Sequence, residues 1–225
     1  MDISIVVPLY NEAEPLPELT AWIERVMAEN GFSYEIWFID DGSTDSSWEI
    51  IKQLRESNPA IHGVSFSRNY GKSPALNVGF GRAQGDVVIT MDADLQDDID
   101  AMDKMVEKYK EGCGIVCGVR ASRATDTFLK RTTARGYYGL MKLFGSDLIY
   151  DHADYRLMDT AALEALSHYH GDELFLRGLV NRLGAKVGTV SYDRRAREAG
   201  ESKYTLKKML KLALKGMAVS YTHLT

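Results

Sequence analysis

The 225-residue chain has few of the residues that would place it in a specialised class. Its two cysteines, Cys113 and Cys117, have no histidine or third cysteine near them. That excludes a disulfide scaffold and a thiolate metal site, and leaves two reduced thiols in a core. Five prolines and no repeated or low-complexity segment exclude collagen-like and linker-rich chains. No run approaches the roughly 18 consecutive apolar residues of a membrane span, so none is expected within these residues. Met1–Pro8 lacks a basic n-region and a cleavage-site pattern. We read it as a first strand and not as a signal peptide.

What is present is ordinary for a globular fold: 45% hydrophobic and 26% charged residues, enough for one large core. The net charge of −5 argues against a general nucleic-acid binder. It conceals an asymmetry. Residues 194–215 carry eight basic and two acidic side chains, a local +6 that leaves −11 on the rest.

Short β-branched runs alternate with helical patterns. Strands are expected at Ile3–Pro8, Glu35–Asp40, Ile61–Ser67, Asp86–Met91 and Gly114–Val119, and a last one at Val187–Tyr192. Helices are expected at Pro15–Glu29, Ser46–Glu56, Pro74–Ala83 and Ile99–Lys110. Residues 120–150 read as basic and helical, and 160–184 as helix, loop and helix. The alternation predicts an α/β fold: a mostly parallel sheet with helices on both faces. The expected layout is a catalytic domain over 1–203, a basic amphipathic helix over 204–218 and an atypical tail over 219–225 that reads as a truncation or a non-native end.

The first four strands each run into a polar cluster: Tyr10-Asn11-Glu12, Asp40 to Asp45, Ser67 to Lys72, and Asp92 to Asp97. Ligands of open parallel sheets lie beyond the carboxyl ends of the strands, so the clusters define one expected site. Helix capping is the plainer explanation, but it needs one such residue per helix and not three carboxylates. Familiar phosphate cradles fail. Gly79, Gly81 and Gly85 have the wrong spacing and place for a dinucleotide fingerprint. Gly71-Lys72-Ser73 would complete a P-loop only if Phe66 were glycine. Asp92 and Asp94, with Gln96 beyond, suit Mg²⁺ or Mn²⁺, which takes one or two carboxylates plus substrate phosphate oxygens. Asp40, Asp41 and Asp45 offer acceptors to the N–H of a base and to ribose hydroxyls.

Pro8-Leu-Tyr-Asn-Glu12, Asp40-Asp-Gly-Ser-Thr-Asp45, Arg68-Asn-Tyr-Gly-Lys72, Asp92-Ala-Asp-Leu-Gln-Asp97, Asp154-Tyr-Arg-Leu-Met-Asp159 and Arg197 to Tyr204 together resemble the motif series of family 2 glycosyltransferases of the GT-A fold. The nearest branch is the polyprenyl-phosphate, dolichyl-phosphate mannose synthase-like one. The resemblance spans about residues 3–215. It implies an inverting, metal-dependent transfer of a sugar from a nucleotide donor, UDP-sugar favoured over GDP-mannose, to a polyprenyl phosphate. It implies that Pro8, Tyr10 and Glu12 frame the nucleotide pocket, that Asp41 meets the base, that Asp40 serves the ribose, and that Lys72 lies near the nucleotide. Asp92, Asp94 and Gln96 would place the metal. Arg120 and Arg131, with Thr132 and Thr133, match the acceptor-phosphate region, and Arg156, Arg197, Ser202 and Lys203 would close over the phosphates. Asp154 is the candidate if a base is needed. A solvated basic face is the alternative for the arginines, and His152, His168 and His170 have no motif context.

Lys207, Lys211 and Lys215 form one helical stripe beside Lys208, with Leu206, Leu210, Leu214 and Met217 among the apolar positions. That is the pattern of a helix lying in an anionic membrane interface, or of a surface helix packed on its own domain. The expected localisation is peripheral, on the cytoplasmic face of a membrane, or membrane-anchored if the native chain is longer. Two other functions fit less well. A nucleotidyltransferase would place a Gly- and Arg-rich loop after the first strand, where this chain has Asn11-Glu12-Ala-Glu-Pro15. A non-catalytic membrane-surface module would have no use for the Asp92/Asp94 pair.

Overall fold

The computed structural model describes residues 1–120, 152–169, 179 and 183–193. The elements are β1 (Ile3–Leu9), α1 (Leu16–Asn30), β2 (Tyr34–Asp40), α2 (Ser47–Ser57), β3 (Ile61–Ser65), α3 (Lys72–Phe80) and β4 (Val87–Thr90). After a short 3-10 turn (Ile99–Ala101) come α4 (Met102–Lys110), β5 (Ile115–Arg120), β6 (His152–Asp159), α5 (Thr160–Ser167) and β7 (Val187–Tyr192). The expected α/β alternation is present to within a few residues at each boundary.

All seven strands form one sheet in the order β3-β2-β1-β4-β6-β5-β7. β1 pairs in parallel with β2 and β4, β2 with β3, and β5 with β7. Among the described strands only β6 runs antiparallel, wedged between β4 and β5. The strand order reverses at β1, so the loops leaving β1 and β4 open side by side at a crevice. β6 was not expected as a strand. Its sequence mixes Asp154 and Arg156 with apolar residues, which reads as a loop motif. In the sheet, Tyr155 to Met158 are all buried.

One core lies between the sheet and α1, α2 and α4, built from Ile5, Val7, Leu16, Leu19, Ile23, Phe38 and their neighbours. A second lies on the other face under α3 and α5, around Val6, Ile39, Leu76, Met158 and Leu166. Both faces of β1 are covered, which is why all seven of its residues are buried. Fully burying Leu16, Leu19, Ile23 and Met27 contributes about 1.5–3 kcal/mol each. That contribution seats α1 and fixes where the β1 loop emerges. Cys113 and Cys117 are free and buried, as expected. Among the described residues no helix is long and apolar enough to cross a membrane. The expected helices over 120–150 and 204–218 and the 219–225 tail lie outside the described residues.

Candidate active site

The four polar clusters do meet at the carboxyl edge of the sheet, and much of their polarity is spent on holding one another. Asn11 N–H donates to Ser43 Oγ (2.9 Å), and Asn11 Oδ1 accepts from Thr44 N–H (2.8 Å). Glu12 N–H donates to Ser47 Oγ (3.1 Å), and Ala13 N–H to Asp45 Oδ2 (3.3 Å). Burial opposes the charge of Asp45, yet the hydrogen bonds from Ser47 and Ala13 outweigh it and lower its pKa. Asn11 takes a left-handed backbone, φ 54°, a conformation asparagine adopts more readily than most residues.

Asp40 and Asp41 are 1% and 4% exposed. Asp40 accepts from Ser43 N–H (2.9 Å) and Ser65 Oγ (2.8 Å). Asp41 accepts from the N–H groups of Tyr70 (2.7 Å) and Gly71 (2.8 Å), one on each carboxylate oxygen. Both carboxylates therefore tie the β2 loop to the β3 loop. Gly42 lets the two loops touch. Its φ is +71°, and a Cβ there would lie 2.4 Å from the Arg68 backbone carbon. Pro8 is buried inside β1, and Tyr10 and Glu12 sit half-buried just past its end.

Asp92 and Asp94 leave β4 on either side of the buried Ala93. Asp94 Oδ1 accepts from Gln96 N–H (3.2 Å), and Leu95 between them is held at φ 57°, uncommon for a large side chain. Gln96 is buried. Among the described residues no three His, Cys, Asp or Glu side chains form a ready-made metal cage. Two adjacent carboxylates with an open side fit instead a hard cation whose remaining ligands are substrate phosphate oxygens.

The structure adds two groups that sequence reasoning had not joined. Lys72, the first residue of α3, bridges Asp92 and Asp154, with Nζ 2.8 Å from Asp154 Oδ2. Its side chain is 38% exposed, but its ammonium is closely surrounded. Burial pulls its pKa down, and the two carboxylates more than reverse that, so it is raised. The second group is Asp97, 5% exposed, which accepts from Tyr192 Oη at 2.5 Å. Burial pushes the Asp97 pKa up to about 6. The Tyr192 hydrogen bond opposes the rise, Asp92 and Asp94 add to it, and Arg120 opposes it. The Tyr192 ring meets Tyr155 edge-on at 5.5 Å. His152, Asp154 and Arg156 alternate along part of β6, but that pattern says nothing about which strands are neighbours.

Arg120 ends β5 beside Tyr192, at the same edge as Asp97. Arg156 is placed differently from the expectation that it closes over phosphates. It is 0% exposed, between Thr90 and Cys117 in the middle of the sheet, and its guanidinium nitrogens find no hydrogen-bond partner among the described residues. Arg131, Thr132, Thr133, Arg197, Ser202 and Lys203 lie outside the described residues, as do His170 and the side chain of His152. His168 is exposed past the end of α5.

Comparison with known proteins agrees with this architecture. Residues 4–167 match the model of "Glycosyl transferase family 2". The chain is 45% identical over 226 aligned positions to an uncharacterised glycosyltransferase, YkoT, of Bacillus subtilis, covering 96% of this chain and 66% of that protein. It is 38% identical to the bactoprenol glucosyl transferase of Shigella phage SfV, covering 96% of this chain and 71% of the relative. The chain thus spans about two thirds of the length of such relatives. Among solved structures, M. tuberculosis glucosyl-3-phosphoglycerate synthase with Mn²⁺, UDP-glucose and phosphoglyceric acid shares the fold at TM-score 0.68 and 18% identity, covering 98% and 79% of the two chains. S. aureus TarS 1-349 with UDP-GlcNAc gives TM-score 0.64 at 17% identity, covering 98% and 66%.

Proposed function

Because the chain belongs to glycosyl transferase family 2, we propose that it transfers a sugar from a nucleoside diphosphate donor to a polyprenyl phosphate at a membrane surface. The donor is a UDP-sugar in preference to GDP-mannose, and the anomeric carbon inverts. The observation that carries this reading is the junction of the Asp92–Asp97 turn with Lys72 and Arg120 at the carboxyl edge of the sheet, in a chain 37–38% identical to proteins named bactoprenol glucosyl transferases.

The departing nucleoside diphosphate gathers negative charge. Asp92 and Asp94, with Gln96 behind them, are the residues that would hold Mg²⁺ or Mn²⁺, which when bound supplies electrostatic stabilisation of that leaving group. Lys72 and Arg120 add fixed positive charge from the protein. Tyr10, Glu12 and the β2 loop frame the nucleoside, and the mutual hydrogen bonds of that loop make the pocket preorganised. The acceptor is a phosphate monoester whose second pKa is about 6, so it is already an effective nucleophile at neutral pH. It needs cations to approach another polyanion, the task of Arg120, Arg131 and Arg197, with Thr132, Thr133, Ser202 and Lys203 beside them. Asp154 is held as the ion-pair partner of Lys72, an arrangement that fits a reaction without a general base. The +6 stretch over 194–215 would bring the chain to the cytoplasmic face of the bilayer, where the lipid acceptor resides.

The test is a donor panel. UDP-glucose, UDP-GlcNAc and GDP-mannose, each labelled in the sugar, are incubated with Mg²⁺ or Mn²⁺ and undecaprenyl phosphate. One UDP-sugar is expected to carry label into the organic phase. Label that stays in the aqueous phase with every donor rejects the reading.

A further inference from the structure

The pairing of β4 with β6 matches Thr90 to Arg156. Continued two residues past the last pair, the same antiparallel register sets Asp92 opposite Asp154. Facing carboxylates on neighbouring strands repel, so the fold places a demand for a cation at this point. Two features fix the seat. Thr90 Oγ1 donates to the Asp154 backbone carbonyl (2.9 Å), locking the start of β6 to β4. Asp41 grips the N–H groups of Tyr70 and Gly71, locking the root of α3. Gly71 turns the chain there at φ 99°, so Lys72 starts the helix pointing into the site. Its Nζ contacts both carboxylates.

We propose that Lys72 is a built-in occupant of the cation seat between Asp92 and Asp154, and that it must leave that seat for a divalent ion to bind. The inference rests on the metal-dependent reading above and extends it to the order of binding. Asp92 cannot serve the lysine and a metal ion at full strength, because two cations at one carboxylate repel each other. The four-carbon stem lets the ammonium move while its root stays fixed. A donor diphosphate supplies the anionic oxygens that the displaced ammonium needs. Metal and donor therefore bind with mutual reinforcement, and the free enzyme holds the metal weakly. Lys72 acts here as a positioning residue: it keeps the repelling carboxylates together until the donor arrives, then turns to the donor phosphates.

The experiment measures Mn²⁺ binding by the loss of the free-ion electron paramagnetic resonance signal, with no nucleotide present. Wild type, Lys72→Met, Lys72→Gln and Lys72→Arg are compared, with circular dichroism confirming the fold of each. Removing the lysine charge should tighten Mn²⁺ binding about tenfold, near 1.4 kcal/mol. Lys72→Arg, which keeps the charge, should stay as weak as wild type. In wild type alone, UDP should tighten Mn²⁺ retention by a similar factor, a readout that needs no variant. Equal or weaker Mn²⁺ binding by both neutral variants overturns the inference while leaving the metal site standing. No Mn²⁺ uptake by any protein, with or without UDP or GDP, overturns the metal reading itself and this inference with it.

Discussion

Among the described carboxyls, Asp97 is the one whose titration the fold most alters. Its folded pKa, about 6, stands above the unfolded value near 3.8 because burial, with Asp92 and Asp94 adding, disfavours its charge. The sign follows from linkage. A raised carboxyl contributes stability that is fully present below the unfolded pKa and is lost as pH rises through the folded one. The loss should total about 3 kcal/mol between pH 4 and pH 8. Asp97→Asn keeps an acceptor for Tyr192 and cannot ionise. Urea unfolding of both proteins at pH 4, 6 and 8 should show the variant gaining on wild type across that window. A constant difference contradicts the assignment. At this scale the sequence exposed the acids but not their employment. Six carboxylates at two strand ends were visible, yet nothing in the spacing shows that Asp40 and Asp41 face inward to stitch loops while Asp92 faces Lys72. That distinction depends on which backbone N–H groups lie nearby, and the packing of α3 decides it. The burial of Arg156 is hidden for the same reason, since a charged residue in a motif does not announce a strand covered on both faces.

The loops that end β1, β2 and β3 are one hydrogen-bonded unit, and Gly42 is its tightest point. A Cβ there would press on the Arg68 backbone, which cannot give way as a side chain can, and the positive φ adds strain. Gly42→Ala should therefore cost about 2–4 kcal/mol and loosen nucleotide binding together with stability. Urea midpoints and UDP titration check it. A variant with wild-type stability would show that the β2 and β3 loops do not touch as described. Elements on both sides of the sheet were legible because strands buried on two faces read as unbroken apolar runs and helices kept their periodicity. β6 was not legible. Its order in the sheet comes from antiparallel pairing with β4 and β5, contacts far apart in sequence that no local pattern carries. The carboxyl-edge rule nevertheless anticipates that the polar clusters meet, since it depends only on the parallel strands β1 to β4.

Over the whole sequence the charge is uneven, +6 over residues 194–215 against −11 on the rest. Each Lys or Arg near an anionic surface contributes about 1 kcal/mol, enough for the +6 of residues 194–215 to recruit the chain to a bilayer. Co-sedimentation with phosphatidylglycerol vesicles should be strong at low salt and lost when Lys207, Lys211 and Lys215 are changed to Glu. Binding unaffected by those changes would move the membrane contact elsewhere. The central claim is chemical, that the carboxyl edge of this sheet releases a nucleoside diphosphate by passing its sugar to a lipid phosphate. The most direct measurement follows both UDP and pyrophosphate with UDP-glucose or UDP-GlcNAc as donor, with and without undecaprenyl phosphate, in wild type and Asp94→Ala. The account predicts UDP release that requires the lipid phosphate and falls about a hundredfold or more, near 2.7 kcal/mol of barrier, in the variant. Pyrophosphate release, or full activity of Asp94→Ala, would contradict it.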